Sequence, residues 1–335
     1  MHNGRVRSAL GAMAAVILAV GVSACLPPTG TTPAASPDGA LPGHGVLFFH
    51  RYSEYGAWDA TLWELELGSG RLIRVDEAWS SAISPINAHP NPAGDAITFM
   101  GSSAGLPQPE WDVFVSRWDG SRWGEPVNLT GPNDRRDEDP KFGPDGHTIV
   151  YKQDGVLATI EADGGEPTLL TAGEPQSSMP YFTVDGQGIL FEREGSIWLL
   201  RDGEANVLWR AAGTKAYYPI GATRSRFLFT EVQASRHDRI VWGSYTGKPA
   251  VPMWFGSDEC DNSDPYPYES GARFVFYVTG CPLVLKGGYN LAVADRSTRT
   301  LHDLDEIHPD ANSHDQELGP AWSGTAYFPQ GTEAP

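Results

Sequence analysis

Apolar residues recur along this chain in short alternating runs, such as "AITFM", "TIVYK", "GILFE" and "RFLFT", bounded by Gly, Pro, Asn and Asp. A period of two predicts half-buried strands, and the intervening residues predict tight turns. No stretch carries the 3.6-residue periodicity and end caps of a long amphipathic helix, so low helix content is expected. The runs are not independent. From Pro140, Phe142 lies two places on, Gly146 six, Ile149 nine and Tyr151 eleven. The same offsets from Pro180 give Phe182, Gly186, Ile189 and Phe191, and from Pro265 they give Pro267, Gly271, Phe274 and Phe276. From Ala88 they give Pro90, Gly94, Ile97 and Phe99, while Pro219 opens a shorter copy and Pro320 a truncated one. These anchors are 52, 40, 39, 46 and 55 residues apart, intervals that mark a repeat architecture.

Each unit continues with a further strand ("WDVFVSRW", "VLATIEA", "SIWLLR", "RIVWGSY", "YNLAVAD"). A turn such as Asp119-Gly120, Asp163-Gly164 or Asp202-Gly203 follows in three of them, and a fourth strand closes the unit ("EPVNLT", "EPTLLT", "NVLWR", "AVPMW", "TLHDL"). Asp-Gly suits a hairpin because both central positions of the favoured turn need positive φ. Four antiparallel strands per unit, stacked radially, predict an all-β propeller. The Pro-anchored strand is innermost, and Ile149 and Tyr151, sharing one face, are expected to pack on a neighbouring blade. Residues 44–76 supply only three strands, "GVLFFHR", "TLWELEL" and "RLIRVD". The expectation is six blades of four strands, the first completed by the C-terminal "PAWSGTAYF", which leaves no open edge. "SPDG" at residues 36–39 is the competing opening strand, disfavoured by the extra residues before Val46.

Ahead of the repeats, residues 1–24 carry Arg5, Arg7 and a short apolar run that suits a secretory signal and falls short of a membrane span. The run ends "VSAC", which resembles the lipobox of bacterial lipoproteins. That resemblance implies cleavage before Cys25 and lipidation of Cys25, whose two acyl chains suffice for stable anchoring. In residues 26–43, 15 of 18 are Pro, Gly, Ala, Ser or Thr, a tether with little to bury. The expected organisation is therefore signal 1–24, anchor and tether 25–43, and propeller 44–335, held outside the cytoplasm by its lipid alone. The net charge of −18 becomes −20 once the two arginines of residues 1–24 are removed (22 basic against 42 acidic). Such a surface repels phosphate backbones, so nucleic acid is not an expected partner.

"DEDPKFGPDGHTIVY", "PYFTVDGQGILFE" and "WGEPVNLT" resemble the β-propeller repeats of the TolB family, closely over residues 86–210 and loosely elsewhere. The resemblance implies the fold and leaves function open, since relatives with these repeats include envelope proteins, glycan-degrading lyases and peptidase propellers. The family's namesake carries an N-terminal α/β domain, for which the tether here has no room, so that protein's partners do not carry over.

The chemistry-bearing candidates are few. "GSSAG" at residues 101–105 follows a strand, but a nucleophile elbow needs a helix next, and Leu106-Pro107-Gln108-Pro109 excludes one, so Ser103 reads as loop. Cys260 and Cys281, 21 residues apart, are expected to form a disulfide in an oxidising compartment. "HPDANSHD" at residues 308–315 matches no metal motif and reads as a polar loop; neither metal nor cofactor is expected. The residues just before the anchors are the better site. Asp139 and Asp264 share that place, Asn87 and Tyr218 are its other polar members, Glu317 lies close to it, and His314 precedes the closing strand. They are expected to converge at one mouth of the channel as a ligand site, against the alternative that the acids cap local backbone or are merely solvated. The functional expectation is a monomeric, non-catalytic envelope lipoprotein binding a protein or glycan. The alternative is a polysaccharide-degrading enzyme using mouth carboxylates and histidines.

Overall fold

The structure, a computed structural model, describes residues 41–103, 110–131, 133–233, 236–255, 260–269, 273–281, 286 and 288–327. Cys25 and the "SPDG" segment lie outside the described residues. Strands dominate, as the period-two pattern requires. The first sheet contains β1 (Val46–Tyr52), β2 (Thr61–Glu66) and β3 (Leu72–Arg74). The second contains β4 (Ile83–Pro90), β5 (Ala96–Ser103), β6 (Asp112–Arg117) and β7 (Val127–Asn128). The third contains β8 (Asp137–Phe142), β9 (Thr148–Gln153), β10 (Val156–Glu161) and β11 (Thr168–Leu169). The fourth contains β12 (Ser178–Phe182), β13 (Gly188–Arg193), β14 (Ser196–Arg201) and β15 (Glu204–Trp209). The fifth contains β16 (Thr214–Gly221), β17 (Arg226–Gln233), β18 (Arg236–Ser244) and β19 (Val251–Pro252). The sixth contains β20 (Asn262–Pro267), β21 (Phe274–Thr279), β22 (Asn290–Asp295) and β23 (Thr300–Asp303). Finally β24 (Gln316–Ser323) pairs with β1, in the register Val46↔Ser323 to Tyr52↔Gln316, and completes the first sheet. Six four-stranded antiparallel blades thus make a propeller closed by its own C-terminal strand.

Packing between blades is apolar. Ile149 and Tyr151 lie, fully buried, against Val113 and Val115 of the preceding blade, and Phe227 and Phe229 face Leu190 and Ile197 in the same way. Each large core side chain taken out of water contributes about 1.5–3 kcal/mol, so cohesion comes from blade-to-blade burial. One expectation is corrected: Gly101–Ser103 is strand rather than loop, because Ile83, Ser84 and Pro85 of β4 continue the ladder opposite it.

Strands β4, β8, β12, β16, β20 and β24 form the hub, contacting one another around the axis. They start at one face of the disc, here the mouth face, and end at the other, where tight turns such as Pro144-Asp145-Gly146 connect β8 and its counterparts β4, β12 and β16 to their second strands. Residues 41–45 meet the disc at that tight-turn face: Trp322 Nε1 donates to the His44 carbonyl (3.2 Å), and Leu41 packs on the core cluster that includes Tyr268.

Cys260 and Cys281 form a disulfide with Cα atoms 5.2 Å apart, clasping the entry of β20 to the exit of β21. Closing a loop of 21 residues restricts the unfolded chain by roughly 3 kcal/mol. A Cys260→Ser/Cys281→Ser variant is expected to lose about that much in a urea titration, with a somewhat steeper slope because the uncrosslinked unfolded chain exposes more surface; an unaltered midpoint would remove the bond from the stability account.

Candidate functional site

All six hub strands share one irregularity. The residue before each anchor has positive φ: Asn87 (56°), Asp139 (55°), Met179 (52°), Tyr218 (51°), Asp264 (46°) and Gly319 (62°). The ladder slips at each of these places, as between Ile86 and His89 or Ser263 and Tyr266. These are β-bulges, in which one extra residue leaves the pairing and is re-aimed. A bulge frees a backbone N–H, and that donor must find another partner. Side chains of the preceding blade provide it: Asn87 N–H donates to His50 Nδ1 (3.2 Å), Asp139 N–H to Met100 Sδ (3.4 Å), Tyr218 N–H to Met179 Sδ (3.4 Å) and Asp264 N–H to Thr230 Oγ1 (3.2 Å). The bulges therefore clip neighbouring blades together and turn their side chains to the axis. Left-handed φ is tolerated by Asn and Asp but is strained in Met179 and Tyr218, by about 1–3 kcal/mol each.

The six bulge residues line a cavity of about 60 Å³ on the axis together with the anchors and the residues just beyond them. At about 10–15 Å³ per water, it has room for roughly four to six waters, or one small polar group, and none for a sugar chain. Its floor is a hydrogen-bonded stopper. His89 Nδ1 accepts the Phe142 N–H (3.2 Å), so the neutral ring carries its proton on Nε2. Nε2 lies 3.2 Å from Tyr181 Oη and 3.3 Å from Tyr266 Oη; Tyr181 donates to Tyr266 (3.3 Å). These three side chains come from alternate blades and meet on the axis.

Burial governs the charges. It pushes the Asp264 carboxyl up to about 7, with Asp139 and Asp238 adding to the rise and Ser263 and Lys141 opposing it. Asp139 is raised for the same reason, although Lys141, Lys152 and the Asn87 amide (3.0 Å from Oδ1) favour its charge. Lys141 is lowered by burial, and the two aspartates work against that. The charge of Asp264, ahead of burial, drives Tyr218 well above its ordinary value. His50 falls to about 3 through burial and Lys141.

Of the residues expected at the mouth, Asn87, Asp139, Tyr218 and Asp264 come together in this lining; Glu317 and His314 do not. Glu317 is corrected to a structural acid. It precedes the bulge, at Gly319, by two residues, is fully buried, and accepts from Arg51 Nε (2.7 Å) and Ser313 Oγ (2.5 Å). His314 sits exposed on the loop before β24, which Asn312 pins through the Leu291 backbone and Asp303. Sequence reasoning missed Met179 and Gly319 on the bulge ring and His89, Lys141, Tyr181 and Tyr266 on the next. The signal was present in the constant step of one residue either side of each anchor. Among the described residues no group of three or more His, Cys, Asp or Glu is placed to hold a metal.

On the mouth side of the cavity the surface is aromatic. Tyr52 stacks on His50 (5.6 Å between centroids) and meets Tyr55 (6.4 Å); Tyr289 stands beside Asp261, its Oη 3.4 Å from Oδ2. Residues 53–59 form a loop closed by Ser53 Oγ donating to Asp59 Oδ2 (2.5 Å) and Ala57 N–H to Glu54 O (3.1 Å). The loop displays Tyr55 (63% exposed) and Trp58 (37%), the latter at φ 56° and resting on Trp111 at 4.7 Å.

The fold and site define a β-propeller with a stoppered axis and an aromatic mouth. Neither a family profile nor a curated relative matches the amino-acid sequence. Solved structures do resemble the fold. TolB from Acinetobacter baumannii aligns with a TM-score of 0.62 at 13% identity, over 84% of this chain and 68% of that one. A putative TolB from Agrobacterium tumefaciens gives 0.57 at 14%, over 85% of this chain and 92% of the other. Kuenenia stuttgartiensis hydrazine synthase gives 0.65 at 12%, over 86% of this chain and 48% of the other, so this chain spans about half of that protein. At such identities the likeness is one of fold, and the fold is TolB-like. Among the described residues no helix is long and apolar enough to cross a membrane.

Proposed function

We propose that this protein is a non-catalytic, lipid-anchored envelope protein whose propeller binds a protein or glycan ligand on its mouth face. One observation carries the reading: the axis is stoppered, leaving about 60 Å³, while a closed loop beside the mouth holds two aromatic residues toward solvent. Rigid exposed aromatics supply contact area at little entropic cost, and a strained backbone such as that of Trp58 persists where the surroundings enforce it. A polysaccharide does not fit a cavity of this size, so the raised carboxyls lie where a glycosidic bond does not reach. That weighs against an enzyme of polysaccharide breakdown.

The test compares the full chain with a Tyr55→Ala/Trp58→Ala variant, in cosedimentation with isolated cell-wall glycan and in photo-crosslinking within envelope fractions. The variant is expected to lose at least tenfold in one of the two assays, with an unchanged thermal midpoint. Equal binding by both proteins would overturn the choice of face. Release of reducing sugar from a polysaccharide, abolished by Asp139→Asn, would overturn the non-catalytic reading.

A further inference from the structure

We infer that the axial cavity receives the cationic end of a lysine or arginine side chain, so that the mouth face engages a protein through a basic segment. The inference rests on the binding role proposed above and specifies its ligand.

The charges facing the cavity do not balance. β8 contributes Asp139 and Lys141, β20 contributes Asp264, β4 contributes Asn87 and His89, and β12, β16 and β24 contribute Met179, Tyr181, Tyr218 and Gly319, which are uncharged. His50, behind Asn87, and His89 each accept a backbone N–H through Nδ1, so neither ring carries a positive charge. Two carboxylates thus face one ammonium. That ammonium donates to the Pro140 carbonyl (3.2 Å), and the Asp139 carboxylate is met by the Asn87 amide. One negative charge is left for a ligand to neutralise. The volume suits an ammonium or guanidinium group and little more. Tyr218 in the lining, with Tyr52 and Tyr289 toward the mouth, offers aromatic faces and hydroxyls to a cation entering from that side. The chain's net charge of −18 favours encounter with a basic partner.

Binding of a cation competes with protonation of Asp264, whose charged neighbours are Asp139, Lys141 and Asp238, with Tyr52, Tyr218 and Tyr289 also within electrostatic reach. Affinity therefore rises with pH until that carboxyl is ionised.

The experiment titrates the full chain with N-acetyl-arginine amide, N-acetyl-lysine amide and the neutral isostere N-acetyl-citrulline amide, read by ligand-observed NMR. Both cationic probes are expected to bind at least tenfold more tightly than citrulline. Their Kd is expected to fall about tenfold from pH 6 to pH 8, as a single carboxyl titrating near 7 ionises. Asp264→Asn is expected to weaken binding at pH 8 at least tenfold and to flatten the pH profile. Lys141→Met, which removes the internal competitor, is expected to tighten it severalfold. Citrulline binding as well as arginine, a flat pH profile in the unmodified chain, or displacement of the probes by micromolar calcium would overturn the inference. The Tyr55→Ala/Trp58→Ala variant retains probe binding. Failure of the cavity and failure of the face are thereby told apart.

Discussion

Asp264→Asn is expected to stabilise the folded protein at pH 8 by about 2–4 kcal/mol and to leave it unchanged at pH 4. The folded carboxyl holds its proton to about 7, against an ordinary value of 3.8, and each unit of difference corresponds to about 1.4 kcal/mol. Between those two pH values the folded state binds the extra proton. Stability of the natural protein therefore falls as pH rises through this window and levels off above it. Asparagine mimics the protonated acid and carries no such penalty. Glu64, which burial between the first two blades raises to about 8, titrates with the same sign. It is present in both proteins and cancels from the comparison. Urea midpoints at pH 4, 5.5 and 8, in buffers free of amines, test this. A difference that does not grow with pH, or a variant less stable at pH 8, would show that the charge of Asp264 is already compensated.

Arg51→Met is expected to cost about 3–5 kcal/mol, and Arg51→Met/Glu317→Met to recover most of that loss. Arg51 ties the first strand to the last: Nε donates to Glu317, Nη2 donates to the carbonyls of Asp310 and Ala311 (2.9 and 3.3 Å), and the guanidinium lies 4.6 Å from the Trp63 ring centroid. Removing it strands a fully buried carboxylate at the seam of the ring, and an uncompensated buried charge is far more costly than a replaced pair. Burial already pushes Glu317 upward, with Ser313 and Arg51 holding it down. Chemical denaturation of the two variants checks the claim. A double variant as unstable as the single one would mean that Arg51 acts through its carbonyl contacts and its stacking on Trp63 instead.

The blade was legible because its signals are local. Alternation in "TIVYK" gives one face to the neighbouring blade, Asp202-Gly203 takes up the positive φ of a two-residue turn (53° and 78°), and the anchor spacing counts the units. The missing fourth strand of residues 44–76 likewise implied closure by the C-terminus, since an open edge would leave backbone groups unpaired. The cavity was legible in part. Asn87, Asp139, Tyr218 and Asp264 were found through polarity, but their ring-mates Met179 and Gly319 share a backbone conformation and no chemistry. In β24 the acid nearest the bulge, Glu317, is two residues from it and stays in the regular ladder opposite Arg51, so it faces the seam, while only the bulge residue Gly319 leaves the pairing.

By itself, the order of residues determined the strands, the turns, the count of blades and the closure, because each depends on neighbours in the chain or on pairing that any sheet must complete. Only the assembled ring decided which side chains meet on the axis, that His89, Tyr181 and Tyr266 stopper it, and that two carboxylates face a single ammonium. The stopper contacts join residues 85 to 177 positions apart, and their energies follow from burial and convergence, which exist only once the disc is closed.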